Sequence, residues 1–543
     1  MSMTPLTRRE GGMMAKSSNE SSRDLAIQLG MEVVADLIVS NLPREVIKKI
    51  PYAFVKQHVI LPIKEEAGSV TVAVSDPLNL QGVEELRMML GKSIKTVYSP
   101  APELLLAIDA CFHREEGAAS QLIADMREGA RHLEGTGSED SYDLLDDTEQ
   151  APVVKLLNLI IGEAIQQGAS DIHFEPFESD MRVRYRIDGV LQNRHSPPRE
   201  HQAQLLTRIK VLAKLDIAEH RLPQDGRSKL NMGGKEIDFR VSTVPVTNGE
   251  RIVLRILDKG NVTLGLNQIG MPPELLKKFQ RLVHMPEGII LVTGPTGSGK
   301  TTTLYSAICD LNAAEVNIMT IEEPVEYKLS GIAQIGVRPK IKLTFAAGLR
   351  HILRQDPDVI MIGEIRDAET AEIAIQASLT GHLVLSTLHT NDAPSAVARL
   401  VDMKVEPYLL ASSVIGVLAQ RLVRRICPSC IVSYEPLDKE LEELNLSRAS
   451  LLSGMLQRGS GCLLCYGSGY KGRHAIYELM VINNALKRQI SKSADAVELR
   501  KIAVETGMTT LHDHGAELVK QGITTVSEVL RVCMRLESYH GSV

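Results

Sequence analysis

The chain has 543 residues, of which 44% are hydrophobic, 24% charged and 3% aromatic, with no Trp and a formal net charge of −6. This length predicts about three or four domains, and the composition is that of a soluble globular protein rather than a fibrous or disordered one. Few aromatics and an acidic balance count against a general polyanion binder and against a base-stacking surface for single-stranded nucleic acid.

In chain order, Met1 to Asp24 is polar and mixed in charge, and reads as a disordered tail rather than a signal peptide. No stretch reaches the ~20 apolar residues of a transmembrane helix, since the longest apolar runs, such as 288–292, are strand-sized. The expectation is a soluble or peripheral protein, held at any membrane by partners. Residues 25–115 predict a small α/β domain that binds a partner. Within it 70–74 is rich in β-branched residues, Asp76-Pro77-Leu78-Asn79 is a turn, and 83–90 has a helical pattern. An acidic linker spans 116–150; from Glu134 to Glu149 it holds seven acidic residues and no basic ones, with Gly, Ser and Thr between.

A second domain, 151–258, opens with helical apolar spacing over 153–167. Strand patterns follow, and in Met181–Ile187 apolar residues alternate with Arg182, Arg184 and Arg186 before an Asp188-Gly189 hairpin turn. With further strand-like segments at 237–241 and 251–256, this is a small α+β domain with a basic strand face. After a Gly- and Asn-containing linker at 259–273 the pattern changes. Segments Gly288–Thr293, 317–321, Val359–Ile362 and 383–387 are short and apolar or β-branched, as in a mostly parallel sheet covered on both faces, and this core spans 274–425. A cysteine-bearing module at 426–475 precedes a helical region at 476–543, with helical patterns at 484–490, 496–505, 511–520 and 525–534. No internal repeat is visible.

The segment Gly294-Pro295-Thr296-Gly297-Ser298-Gly299-Lys300-Thr301 fits G-x-x-x-x-G-K-[ST] in full, with a buried strand before it and a helical pattern from Lys300 after it. Glycines let such a loop wrap a phosphate with its N–H groups inward, and the helix N-terminus adds its positive end. Lys300 then reaches the β- and γ-phosphates of ATP and Thr301 ligates Mg²⁺. The expected nucleotide-binding set runs from Gly294 through Thr302.

Hydrolysis also requires an oriented water and charge stabilisation. Thr320-Ile321-Glu322-Glu323-Pro324-Val325-Glu326 follows the next strand and puts three carboxylates near the C-terminal edge of the sheet, where ligands of open α/β sheets bind. Asp356 to Glu364 is an apolar strand ending in an acid. Gly381-His382 and Leu388-His389-Thr390 bracket another buried strand, and spacing alone leaves a structural and a catalytic reading of both histidines open.

The order GPTGSGKT, TIEEPVE, RQDPDVIMIGEIRD and TGHLVLSTLHTND resembles the Walker A, Asp-box, Walker B and His-box series of the type II secretion/type IV pilus ATPase family. ASDIHFEP, RVRYRIDG, RLPQDGR and DFRVSTVP are similar to that family's companion domain, so the likeness covers about 152–478, nearest the GspE-like secretion members. The resemblance implies an α/β fold: a RecA-like P-loop ATPase core, a preceding α+β (PAS-like) companion domain, a small N-terminal α/β domain, a tetracysteine zinc module and C-terminal helices. It implies a hexameric motor at the cytoplasmic face of the inner membrane, working on platform and anchoring proteins to power secretion through pseudopilus assembly. Membrane contact would be peripheral, and no nucleic acid is expected.

Carried over by position, Glu326 would be the base that orients water, Glu364 would act through the Mg²⁺ shell, and His382 and His389 would sense the γ-phosphate. Arg227 and Arg240 would reach the phosphates from the companion domain, with Arg255 a weaker candidate. Glu323 stands where the family has Asp, which puts any role for Glu322 or Glu323 in doubt. His474 replaces a small residue, with little consequence expected.

Of seven cysteines, four form two pairs, Cys427-x-x-Cys430 and Cys462-x-x-Cys465, with residues 431–461, 31 in all, between them. Four thiolates at this spacing suit tetrahedral Zn²⁺ in a closed structural site. Within the family this module marks secretion and pilus-extension members rather than retraction ones. The competing readings are a pilus extension ATPase, a RecA-like DNA translocase or helicase, and a regulatory nucleotide-binding module that hydrolyses poorly.

Overall fold

The computed structural model describes residues 25–34, 43–108 (without 48, 49, 51–53, 56, 57, 67, 102, 103, 105 and 106), 119, 123, 152–232, 235–257, 265–311, 314–451 and 454–533. The expected tail, nearly all of the acidic linker, residue 258 and residues 259–264 of the second linker lie outside them. The chain divides into two compact units, Met1–Leu257 and Asp258–Val543.

In the first unit, β1 (Ile60–Glu66), β2 (Ser69–Val74) and β3 (Ser93–Tyr98) form a three-stranded sheet, with the helix Leu80–Leu90 between β2 and β3. Asn79 caps that helix by accepting from the Gly82 amide, which is why the turn and the helix meet there. The same unit holds an antiparallel six-stranded sheet of β4 (Ala169–Pro176), β5 (Met181–Ile187), β6 (Val190–His195), β7 (Gln224–Met232), β8 (Lys235–Val246) and β9 (Gly249–Leu257), in the order β6-β5-β4-β9-β8-β7. Alternation along β4 decides its two faces. Ile172 and Phe174 join the core with Leu156 and Ile160 of the helix Pro152–Gln166 and with Leu205 of the helix Gln202–Leu212. Asp171, His173 and Glu175 occupy the opposite face. There the arginines of β5 and β9 find them: Arg184 and Arg251 pair with Glu175, and Arg255 pairs with Asp171.

The second unit is built on a seven-stranded sheet. Its strands are β10 (Gly288–Thr293), β11 (Ile318–Glu322), β12 (Ala333–Gly336), β13 (Val359–Ile362), β14 (Leu383–Leu388), β15 (Val414–Ile426) and a seventh, Tyr470–Val481. Their order is β12-β11-β13-β14-β10-β15 and then the seventh, parallel throughout except for the antiparallel last pair. Strands β10, β13 and β14 are buried at every position, which is why they carry no alternating pattern. Two cores cover the faces, one containing Ile289, Leu291, Ile360 and Val384, the other Ile290, Val292, Met361 and Leu385.

A two-stranded ribbon, β16 (Ile431–Tyr434) with β17 (Leu456–Gly459), was not foreseen in the cysteine module; the seventh sheet strand is therefore β18. Leu441, Leu444 and Leu456 of the module share a core with Val519, Val526 and Val529 of the C-terminal helices. His474 lies against Gly270, where a Cβ would come within 3.1 Å of its ring.

Candidate active site

β10 delivers the chain into a loop with positive φ at Gly294, Gly297 and Gly299, before the helix Lys300–Asp310. The first turn tolerates no side chain, because a Cβ on Gly294 would collide with the Gln420 carbonyl. Lys300 Nζ folds back over the loop, donating to Gly294 O at 2.8 Å and Pro295 O at 3.1 Å. Burial pushes this ammonium down to about 8, against the opposing pull of the Glu364 carboxylate. The Ser298 hydroxyl is buried without a hydrogen-bond partner. A buried ammonium and an orphaned hydroxyl beside a helix N-terminus fit a phosphate, which accepts from both. Thr301 and Thr302 are exposed on the first turn of the helix, where they can face a nucleotide and its counter-ion.

In the sheet order, β14 lies between β10 and β13, so the acid after β13 and the histidine after β14 emerge beside the phosphate loop. Glu364 lies within hydrogen-bonding distance of His389, Nε2 to Oε2 3.2 Å, and is ion-paired with Arg366, which also reaches Glu323 at 3.4 Å. Glu364 is mostly buried whereas His389 is exposed, so the pair presents imidazole outward over a carboxylate. Glu326 is exposed in the loop after β11, on the same edge of the sheet.

Two expectations are corrected. His382 precedes β14 while His389 follows it, and seven residue steps of extended chain separate them by roughly 23 Å. His382 sits at the N-terminal edge, its backbone carbonyl accepting from the Gly288 amide and its Nδ1 lying 2.8 Å from Ala377 O at the end of the helix Ala368–Leu379. Within this chain it belongs to the far end of the sheet from Lys300. Glu322 points inward rather than to the edge: Thr320 donates to it at 2.6 Å, Gln334 at 3.1 Å, and Tyr305 also donates. It is a satisfied core carboxylate, and the pleat sends it opposite to its neighbour Glu323. Arg255 pairs with Asp171 at 3.0 Å within its own sheet while its side chain stays more than half exposed.

Arg227 and Arg240 are direct cross-strand partners on β7 and β8, and Arg240 in turn pairs in register with Arg255 on β9. Like charges directly opposite one another cost stability, so a row of guanidiniums is a place where an anion is welcome. Arg227 is exposed and Arg240 half-buried.

Some supporting residues carry no motif. Thr293 Oγ1 lies 2.8 Å from Thr390 Oγ1 and accepts from the Thr390 amide at 2.9 Å, locking the His389 turn to the start of the phosphate loop. Gln420 accepts from Thr303 at 2.7 Å besides walling Gly294. Glu478 accepts from the amides of Ala393 and Leu511, capping two helices with one carboxylate whose proton affinity burial raises. The lone Gln in an apolar strand was the only available signal for Gln420.

The four cysteines converge. Their sulfurs all lie within 4.8 Å of one another, with Cys427–Cys462 and Cys430–Cys465 at 3.8 Å and Cys462–Cys465 at 3.7 Å. Four thiolates about 2.3 Å from one tetrahedral ion stand about 3.8 Å apart, so the set fits such an ion and is far too open for disulfides. Burial alone would raise the Cys465 thiol, but amides of Cys462 and Gly469 donate to its sulfur at 3.1 and 3.3 Å and favour the thiolate.

Among the described residues no helix is long and apolar enough to cross a membrane. The family model described as type II/IV secretion system protein matches residues 146–531, and an MshEN domain model matches residues 29–118. Type II secretion system ATPase E of Vibrio cholerae is 43% identical over 502 residues, spanning 92% of this chain and 99% of that protein. Type II secretion system protein E of Pseudomonas aeruginosa is 46% identical, spanning 89% and 96%. The type IV pilus assembly ATPase PilB of Myxococcus xanthus is 43% identical, spanning 90% and 86%. Among solved structures, the Legionella pneumophila ATPase DotB superposes with a TM-score of 0.52 at 21% identity, over 73% of this chain and 99% of that one, a likeness of fold.

Proposed function

The chain belongs to the type II/IV secretion system protein family and is an ATPase, and from that premise we propose that it is the ring-forming motor of a type II secretion machine. The observation that carries the reading is the convergence of Lys300, Glu364 and His389 around one phosphate loop, in a chain matched nearly end to end by secretion ATPases. Bound Mg²⁺ would neutralise phosphate charge, with Thr301 and Glu364 as the residues suited to hold it and its waters. Lys300 receives the phosphates, Glu326 orients and deprotonates the attacking water, and His389, backed by Glu364, reads the γ-phosphate position. Arg227 and Arg240 supply positive charge to the phosphates from the companion domain, where fingers of this kind are worth about 10³–10⁵ in rate.

In this reading Cys427, Cys430, Cys462 and Cys465 hold a structural Zn²⁺, and the assembly is a hexamer bound to inner-membrane platform and anchoring proteins, in contact with the cytoplasmic face only through them. The Myxococcus relative favours a second reading, pilus extension, because its identity equals that of the secretion relative from Vibrio. Deletion of the coding sequence decides between them. Loss of exoprotein release with surface fibres intact supports the secretion motor, and loss of fibres with secretion intact supports the extension motor.

A further inference from the structure

Lys210 is a fully buried lysine, 1% exposed, in the helix Gln202–Leu212, at a position that no part of the proposed chemistry uses. Its Nζ is ion-paired with Glu250 Oε1 at 2.6 Å and donates to the backbone carbonyl of Glu219 at 2.8 Å. The second oxygen of Glu250 lies 2.6 Å from His220 Nδ1, so both groups grip adjacent residues of the loop entering β7. The Glu219 carbonyl also accepts from Gln224 Nε2 at 2.9 Å. The same Gln224 amide group bridges the Asp216 backbone, accepting from its N–H at 2.8 Å and donating to its carbonyl at 3.0 Å. Gln224 begins β7 three positions before Arg227, and Gly226, between them, is pressed on helix end and loop: a Cβ there would stand 2.5 Å from Ala213 O and 2.7 Å from Leu215.

Buried ion pairs add little stability compared with apolar residues of the same shape, and their best-attested use is to specify one arrangement among several. Here the arrangement specified is that of a loop leading into β7, the strand that carries the exposed Arg227. We propose that Lys210 is a positioning residue for Arg227: with Glu250 it fixes Glu219 O, through it Gln224, and thereby the point from which the Arg227 guanidinium extends. The proposal rests on the reading of Arg227 as a charge-supplying finger. Lys210 touches no nucleotide and acts only by holding the strand that does.

The test uses the full-length oligomeric protein and steady-state ATP turnover. Lys210→Met should lower kcat about ten- to hundredfold, the cost of a misplacement near 1 Å, with KM and oligomeric state unchanged. In an Arg227→Ala background the same substitution should cost nothing further, since the residue it positions is gone. Lys210→Met combined with Glu250→Leu removes both buried charges and should restore the melting temperature but not the turnover. Turnover that recovers with stability, or losses from Lys210→Met and Arg227→Ala that multiply, would overturn the positioning role while leaving Arg227 as a finger. Wild-type turnover of Arg227→Ala would overturn the finger, and the positioning role with it.

Discussion

His389 Nε2 lies 3.2 Å from Glu364 Oε2, linking the C-terminal ends of the two parallel strands β14 and β13 beside Lys300. The carboxylate orients the ring and Thr293 fixes the backbone of the next residue, so the imidazole is held at the edge rather than swinging freely.

His389→Ala should therefore lower ATP turnover by at least about tenfold with nucleotide still bound. His382→Ala, at the far edge of the sheet, should leave turnover intact and lose about 1 kcal/mol of stability with its bond to Ala377 O. Steady-state kinetics and thermal melts on both variants are the check. A turnover defect confined to His382→Ala would reverse the assignment.

Glu326→Gln should bind ATP and fail to hydrolyse it, with a loss of about 10²–10⁴ in turnover, because an amide accepts a hydrogen bond but takes no proton. Glu364→Gln should also weaken the Mg²⁺ dependence and release Arg366. If Glu364→Gln trapped ATP while Glu326→Gln turned over normally, the base would be Glu364.

Burial sets Lys300 at about 8, and a bound phosphate favours its charged form. The free protein is thus fully cationic there below pH 7 and loses the proton as pH rises through about 8. Affinity for a non-hydrolysable ATP analogue should be flat below that value and fall by up to about tenfold per pH unit above it. Calorimetric titration from pH 6.5 to 9.5 measures this. Lys300→Met should bind weakly without the inflection, and a flat wild-type profile would refute the assignment.

Metal analysis of protein purified without chelator should give one zinc per chain. Its removal should loosen 426–475 together with the helices Leu511–Lys520 and Val526–Cys533, which share a core with the module. Structural zinc stores of order ~10 kcal/mol in small modules. Hydrogen exchange before and after chelation reads the effect, which should spare the helix Lys300–Asp310; unchanged protection in 426–475 would count against a structural metal.

Burial would raise Glu528, but hydrogen bonds from Arg531 and Arg424 overcome it and hold the carboxylate at about 2, below its ordinary 4.5. A depressed carboxylate stabilises the fold above the unfolded value and loses that contribution as pH falls from 4.5 through 2. The shift corresponds to roughly 3 kcal/mol at most, and less in practice because Arg531 is partly solvated. Glu528→Gln should lower the melting temperature at pH 7, with the difference from wild type closing below pH 4. A constant difference across that range would exclude the ion pair as its cause.

The sequence by itself determined what is local: a glycine loop framed by strand and helix, cysteines in two short-spaced pairs, and the alternation that gave β5 its arginines. Each lies within one or two consecutive elements, where backbone stereochemistry and spacing suffice. Even the separation of His382 from His389 was implicit, since a six-residue strand between them must span the sheet. Only the tertiary structure decided that Gln420 closes over Gly294, that Glu322 turns into the core while Glu323 meets Arg366, and that Lys210 and Glu250 clamp the loop before Arg227. Apart from the Thr320–Glu322 bond, those relationships join residues from about a dozen to more than a hundred positions apart. Their existence depends on which strands become neighbours and on which side of each strand a residue falls, and no window of sequence contains either choice.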